Sequence, residues 1–334
     1  MTPYLDVRVG EPSQVGEARR AAQRLAEDNG FDELTCGRLG IVATELGTNL
    51  ARHARDGRLL IGCRPEQEGR RFEILSIDHG PGMSDVSRCL RDGYSTGASP
   101  GTGLGAVQRL SSDFSVYSVP GKGSVILSRL RPSSNDLGVM PPARIDWAGI
   151  TLAAPGERVS GDGWELRVGD GRAAVVVADG LGHGPVAAEA SDAGLAAFRA
   201  NTGAPSVLLE RAHQTMRRTR GAAMAIADLD VDGAGLVFAG AGNISGRLIS
   251  GVEDRTLLSQ HGTLGLQIRH LQDTRYAWPD HALVVLHSDG ITSRWTLADD
   301  VGLLQCDPAV VAAWLLRDHA RGRDDATVVV LKRS

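Results

Sequence analysis

An α+β protein of two domains is the fold class this sequence predicts, and three observations carry that reading. The chain has 334 residues and is 42% apolar, enough for two ordinary domains that each bury a core. Segments with helical spacing of apolar residues alternate with short β-branched runs throughout. Between two such regions, 131–143 reads RPSSNDLGVMPPA, whose three prolines with serine, asparagine and glycine interrupt both periodicities. The expected division is a domain over 1–131, a linker over 132–143 and a second domain over 144–334.

In the first half, Val15, Ala18, Ala22, Leu25 and Ala26 predict an amphipathic helix over 12–29. A second helix, over 32–54, places Leu39, Val42, Leu46 and Leu50 on one stripe. Beside that stripe Glu45 and Asn49, four residues apart, lie one above the other. Strands follow at 59–64 and 71–77, then a short helix from 101–105 to 112, then strands at 114–119 and 124–130. In the second half the expected strands are 150–154, 164–168, 173–178, 222–229, 236–239, 247–249, 282–286 and 326–331. Helices are expected at 185–200, 205–218 and 308–319.

Composition excludes several function classes. A net charge of −4 without any basic block argues against a nucleic-acid or anionic-membrane partner. Nearly all 36 basic residues are arginine, with Lys122 and Lys332 the only lysines, a bias that points to a GC-rich genome and carries no chemistry by itself. Cys36, Cys63, Cys89 and Cys306 form no CxxC pair, so neither a zinc site nor a disulfide framework is indicated. The sequence does not open on a basic stretch followed by an apolar core, and it holds no apolar run of roughly 18 residues, so a cytoplasmic protein is expected.

Two constellations carry chemistry. In the first half, Glu45 and Asn49 precede Asp78 in DHGPGM, where Gly80 and Gly82 let backbone approach a ligand. Then comes GTGLG, Gly101, Thr102, Gly103, Leu104 and Gly105, whose free amides at a helix start suit an anionic phosphate tail. This ordered set resembles the GHKL, or Bergerat-fold, ATPases, and within them the serine kinases of bacterial anti-sigma and stressosome switches. The resemblance implies a Bergerat-type α/β sandwich binding ATP with Mg²⁺. It also implies that Asn49 holds the metal, Glu45 acts as base toward the attacking hydroxyl and Asp78 bonds the adenine amino group.

In the second half, VVVADGLGHG (175–184) runs a buried strand into Asp179 and a glycine turn. Asp289 in LHSDGIT follows another apolar run, and Asp324 and Asp325 precede a β-branched strand, so carboxylates arrive at strand ends from distant sequence. Oxygen-only ligands favour Mg²⁺ or Mn²⁺, and two such ions would activate water against a phosphate ester. With SGDGW at 160–164, these motifs resemble the metal-dependent serine/threonine protein phosphatases of the SpoIIE branch. That resemblance implies a β-sandwich flanked by helices. It further implies two metals bridged by Asp179, with the Gly180 carbonyl, Asp289 and Asp324 as ligands and Asp162 as an accessory ligand. His183 is a candidate to orient the leaving group or equally an exposed turn residue, and Asp325 is expected behind the ligands or as a strand cap.

These resemblances imply phosphoserine or phosphothreonine hydrolysis on a STAS-type anti-sigma antagonist or stressosome protein, with a sigma-factor regulator as a further candidate partner. The rival readings are a bifunctional kinase and phosphatase, and a partner-binding module that uses ATP as a regulatory ligand.

Overall fold

The computed structural model describes residues 3–66, 69–91, 103–132, 145–169 and 171–333. Except for Pro132, the expected linker lies outside the described residues. The chain forms two compact units, one within Tyr4–Met140 and the other within Pro141–Ser334.

The first unit runs β1 (Leu5–Arg8), α1 (Pro12–Asp28), α2 (Glu33–His53), β2 (Arg58–Glu66), β3 (Gly69–Asp78), α3 (Val86–Cys89), α4 (Gly103–Leu110), β4 (Asp113–Val119) and β5 (Gly123–Leu130). Its strands form one antiparallel sheet in the order β1-β2-β3-β5-β4. Asp32 starts α2 by accepting a 2.8 Å hydrogen bond from the Thr35 N–H. Leu39, Val42 and Leu46 of α2 and Ala18 and Ala22 of α1 then pack on Leu59, Ile61, Phe72 and Ile74 of one sheet face. Each large aliphatic side chain so buried contributes roughly 1.5–3 kcal/mol, which fixes α2 across the sheet and so fixes the direction of Glu45 and Asn49.

The opposite face of this sheet buries charge. Glu73 on β3 is 1% exposed. It accepts from Arg129 Nε at 2.5 Å and from the Tyr4 hydroxyl, and it pairs with Arg71 at 3.1 Å. Burial alone would raise its pKa, but Arg129, Arg71 and Tyr4 outweigh burial and hold it at about 2, below the ordinary 4.5. A depressed carboxylate stabilises the fold fully above its unfolded pKa, and that contribution is lost as pH falls through the folded value. Glu73→Gln is therefore expected to lower the unfolding free energy near pH 7 by about 3–5 kcal/mol, because buried Arg129 and half-buried Arg71 lose their carboxylate. Urea titrations should show the gap between parent and variant narrowing from pH 5 to pH 2. A gap of constant size would contradict the network's role.

The second unit runs β6 (Ile145–Leu152), β7 (Asp162–Gly169), β8 (Arg172–Gly180), α5 (Pro185–Ala200), α6 (Pro205–Thr215), β9 (Ala222–Asp230), β10 (Gly235–Ala241), β11 (Ser245–Ile249), β12 (Asp254–Leu257), β13 (Gly262–Thr263), β14 (Gln267–Ile268), β15 (Thr274–Ala277), β16 (Leu283–His287), α7 (Pro308–His319) and β17 (Ala326–Arg333). Two five-stranded sheets, β15-β10-β9-β8-β7 and β12-β11-β16-β17-β6, pack face to face. Trp164, Val175, Val177, Phe238, Trp278, Val284, Leu286 and Val329 fill the space between them. Helices α5 and α6 bury Leu195, Phe198 and Leu209 against Val176, Ala178, Met224 and Ile226 on the outside of the first sheet. Helix α7 packs on β17 and β6 outside the second. The expected β-sandwich flanked by helices is the fold observed.

Candidate active site and nucleotide site

In the second unit the alternation of β7 and β8 sets Asp162 directly opposite Asp179 in an antiparallel pair. Like charges opposed across a ladder repel, so this pair must be compensated or protonated. The Asp162 carboxyl is 7% exposed, and its Oδ2 has no hydrogen-bond partner. Burial and the neighbouring Asp179 push its pKa well up, against the Ser288 and Thr327 hydroxyls, which lower it. Asp179 is pushed to about 7, first by burial and then by Asp289, Asp324 and Asp325. The Asp289 backbone N–H, hydrogen-bonded to the Asp179 carboxylate, opposes that rise. Strand ends of both sheets thus deliver their carboxylates to one place.

Asp324 and Asp325 are neighbours in sequence with different surroundings. Both oxygens of Asp325 are engaged, by the Ala154 N–H at 2.7 Å and the Gly161 N–H at 2.8 Å. It therefore ties the segment that carries Asp162 to the start of β17. Asp324 accepts only the adjacent Asp325 N–H, at 2.9 Å, among the hydrogen bonds of the described residues. Asp289 Oδ2 accepts from Asn243 Nδ2 at 2.8 Å. Gly290 allows the Asp289 turn to touch β17, for a Cβ there would stand 1.9 Å from the Asp325 carbonyl oxygen.

Among the described residues, no three His, Cys, Asp or Glu side chains form a ready-made metal cluster. The donor chemistry nevertheless fits hard divalent cations: the groups are all oxygens, one buried oxygen is unsatisfied among the described residues, and burial with mutual repulsion has raised two of the acids. Asp162, Asp179, Asp289, Asp324 and the Gly180 carbonyl are the groups that would hold them.

In the first unit, Glu45 and Asn49 are half-buried on one face of α2. The first residue of α4 comes to them: a Cβ on Gly103 would lie 2.8 Å from Glu45 Oε2 and 3.8 Å from Asn49 Oδ1. Asn49 Nδ2 is buried without a hydrogen-bond partner among the described residues. Asp78 ends β3 with Oδ1 accepting the Gly80 N–H at 2.6 Å, and Gly82 follows at φ +69°. Leu104 and Gly105 lie in the first turn of α4. Gly101 and Thr102 lie outside the described residues.

Comparison with known proteins matches two separate stretches of the chain and leaves 130–168 between them. The model of the histidine kinase-like ATPase domain matches residues 9–129, and that of stage II sporulation protein E, SpoIIE, matches residues 169–334. Serine/threonine-protein kinase RsbT of Bacillus subtilis (strain 168) is 31% identical over 120 residues, 36% of this chain and 90% of that protein. The chain joins a histidine kinase-like ATPase domain to a SpoIIE domain. A chain solved in work on the bacterial stressosome is similar to 57% of this one over its own full length, at 27% identity and a TM-score of 0.53. RsbX, solved in complex with magnesium, shares the fold over 59% of this chain and 99% of its own, at 22% identity and a TM-score of 0.51.

The SpoIIE domain is of phosphatase type, and the ATPase domain is kinase-like. No described helix is long and apolar enough to cross a membrane. Two neighbours of the SpoIIE carboxylates were not singled out by sequence. Asn243, which holds Asp289, follows the glycine-rich AGAG at the end of β10, the same strand-into-glycine signature that marked Asp179. Glu157 stands 3.0 Å from His183 Nδ1, an exposed pairing 26 residues apart with no local signal.

Proposed function

We propose that the chain is a metal-dependent phosphoserine and phosphothreonine protein phosphatase, acting on a phosphorylated STAS-domain protein of a bacterial stress-signalling switch. The observation that carries this reading is the convergence of Asp162, Asp179, Asp289 and Asp324 from the ends of four strands, where burial and neighbouring carboxylates push the pKa values of Asp162 and Asp179 up. Bound Mn²⁺ or Mg²⁺ would polarise the phosphoryl group and make water nucleophilic at neutral pH. Asp179, the Gly180 carbonyl, Asp289 and Asp324 are the groups that would hold such ions, with Asp162 accessory. Hydrolysis forms a P–O bond to the water oxygen and breaks the bond from phosphorus to the serine or threonine oxygen, which leaves with a proton. His183, held by Glu157 in the turn after Asp179, is the group assigned to face that leaving oxygen. A phosphatase assay on phosphorylated STAS proteins, with and without ATP, tests substrate class and domain coupling together. No phosphate release with Mn²⁺ present would refute the reading.

A second reading, favoured by the unpartnered Asn49 amide beside Glu45 and by the likeness to RsbT, gives the first unit kinase activity. Asn49 would hold Mg²⁺ on ATP, Asp78 the adenine, the backbone of Gly80, Gly82 and 101–105 the nucleotide, and Glu45 would accept the proton of the attacking hydroxyl. Glu45→Ala is then expected to lower label transfer from ATP to a STAS protein by roughly 10²–10⁴-fold, the usual contribution of a general base. ATP binding without transfer in the parent would leave the unit a nucleotide sensor.

A further inference from the structure

A phosphatase site must hold a dianion next to its carboxylates, and the groups named so far leave that charge unmet. Asp162, Asp179, Asp289 and Asp324 carry four formal negative charges, which two divalent cations only cancel. A phosphomonoester adds close to two more at neutral pH. A fixed cation at the mouth of the site is therefore needed for tight binding, and Arg323, beside Asp324, is the one the acidic motifs contain.

We propose that Arg220 is that cation, taking the phosphoryl group of the phosphoserine or phosphothreonine substrate; the assignment rests on the phosphatase reading above. The register of β8 with β9 pairs Asp179 with Ala223 and Gly180 with Ala222. Carried two residues beyond the ladder, the same register sets Arg220 opposite Gly182, within the turn that follows Asp179. The side chain is there: Arg220 Nη1 lies 3.3 Å from the position of a Cβ on Gly182. Arg220 is exposed, and among the described residues it makes no hydrogen bond or ion pair. In a chain this rich in arginine the residue type carries no weight. An exposed guanidinium set against the turn that follows Asp179, with no partner among the described residues, does.

The loop that presents Arg220 is held on both sides. The Leu181 N–H donates to the Gly221 carbonyl at 3.0 Å, tying the loop to the Asp179 turn. The Thr219 hydroxyl accepts the Gly221 N–H at 3.1 Å and donates to the Met216 carbonyl at 2.8 Å. Gly221 itself has φ +83°, and a Cβ there would meet the Leu264 carbonyl oxygen at 2.5 Å, so the backbone beside Arg220 has little freedom. A guanidinium so placed offers a planar fork of donors that matches two phosphoryl oxygens.

The test uses the full chain loaded with Mg²⁺, titrated with inorganic phosphate in a calorimeter, alongside hydrolysis of a phosphoserine peptide. Arg220→Ala is expected to raise both the phosphate Kd and the peptide KM by on the order of tenfold to a hundredfold, the range for a lost charge-assisted hydrogen-bond pair. Arg220→Lys should fall between variant and parent. Mg²⁺ affinity and melting temperature should stay at parent values. Arg323→Ala, a second cation beside Asp324, should have the smaller effect. An unchanged phosphate Kd in Arg220→Ala, a larger loss in Arg323→Ala, or no phosphate binding by the parent would overturn the assignment. If the parent binds phosphate through Arg220 but hydrolyses no peptide, the phosphatase reading fails and the anion site stands. Hydrolysis that is indifferent to Arg220 has the opposite meaning.

Discussion

Asp179→Asn is expected to reduce Mn²⁺-dependent phosphate release by at least about a thousandfold, a barrier increase of roughly 4 kcal/mol, because it removes the charge assigned to both ions. The same substitution should stabilise the metal-free protein. The Asp179 pKa is raised to about 7 by burial and by Asp289, Asp324 and Asp325, so the folded state favours the protonated acid. A raised folded pKa gives stability that is present below the unfolded value and is lost as pH rises through the folded one. In the parent, metal-free stability should therefore decline between about pH 4 and pH 7. The asparagine variant should decline less and melt higher than the parent at pH 8. Mn²⁺ should reverse that order, since a bound cation repays the repulsion only in the parent, and ligand carboxylates must be ionised to bind it. Melting curves at pH 5 and pH 8, with and without Mn²⁺, check every limb. A variant that keeps the parent's metal response would remove Asp179 from the site.

Gly290→Ala is expected to be the most destabilising single methyl group in the SpoIIE domain. Its Cβ would stand 1.9 Å from the Asp325 carbonyl oxygen and 2.9 Å from Ala326 Cα, both backbone, so no side chain can swing aside. The turn bearing Asp289 would have to separate from the start of β17, and Asp325 anchors Ala154 and Gly161 there. A loss of about 3 kcal/mol or more is expected, at the upper end for overpacking. Denaturant unfolding measures it. ATP binding should survive, since the ATPase domain buries a core of its own from residues 9–130. A variant as stable as the parent would mean the turn relaxes without cost.

Much of both folds is legible in the chain. Helices expected at 185–200 and 308–319 are found with those bounds, and the central strands lie within a few residues of their expected positions. These segments share strong periodicity or an unbroken β-branched run, sharpened by Pro185 and Pro308 at helix starts. The elements missed are β1, α3, β12, β13, β14 and β15, short pieces of two to four residues. Edge strands such as β1 and β12 expose most of their side chains to water and pair on one side only, so their pattern does not alternate, and β15 alternates over only four residues. Helix α2 displays Glu45 and Asn49 by period alone, but nothing local signals that Gly103 returns to them.

The sequence by itself determined that acids end buried strands at Asp179 and Asp289 and precede one at Asp324 and Asp325, because unbroken apolar runs and glycine turns are properties of short windows. Only the tertiary structure decided what each acid does. Asp325 engages both oxygens with backbone N–H groups more than 160 residues away, while its neighbour Asp324 accepts only the adjacent Asp325 N–H among the described residues. Asp162 acquires its significance from a cross-strand register with Asp179, and Arg220 from the same register carried past the ladder. Register and side-chain direction are set by which strands pair, and pairing is settled by the packing of the whole sandwich.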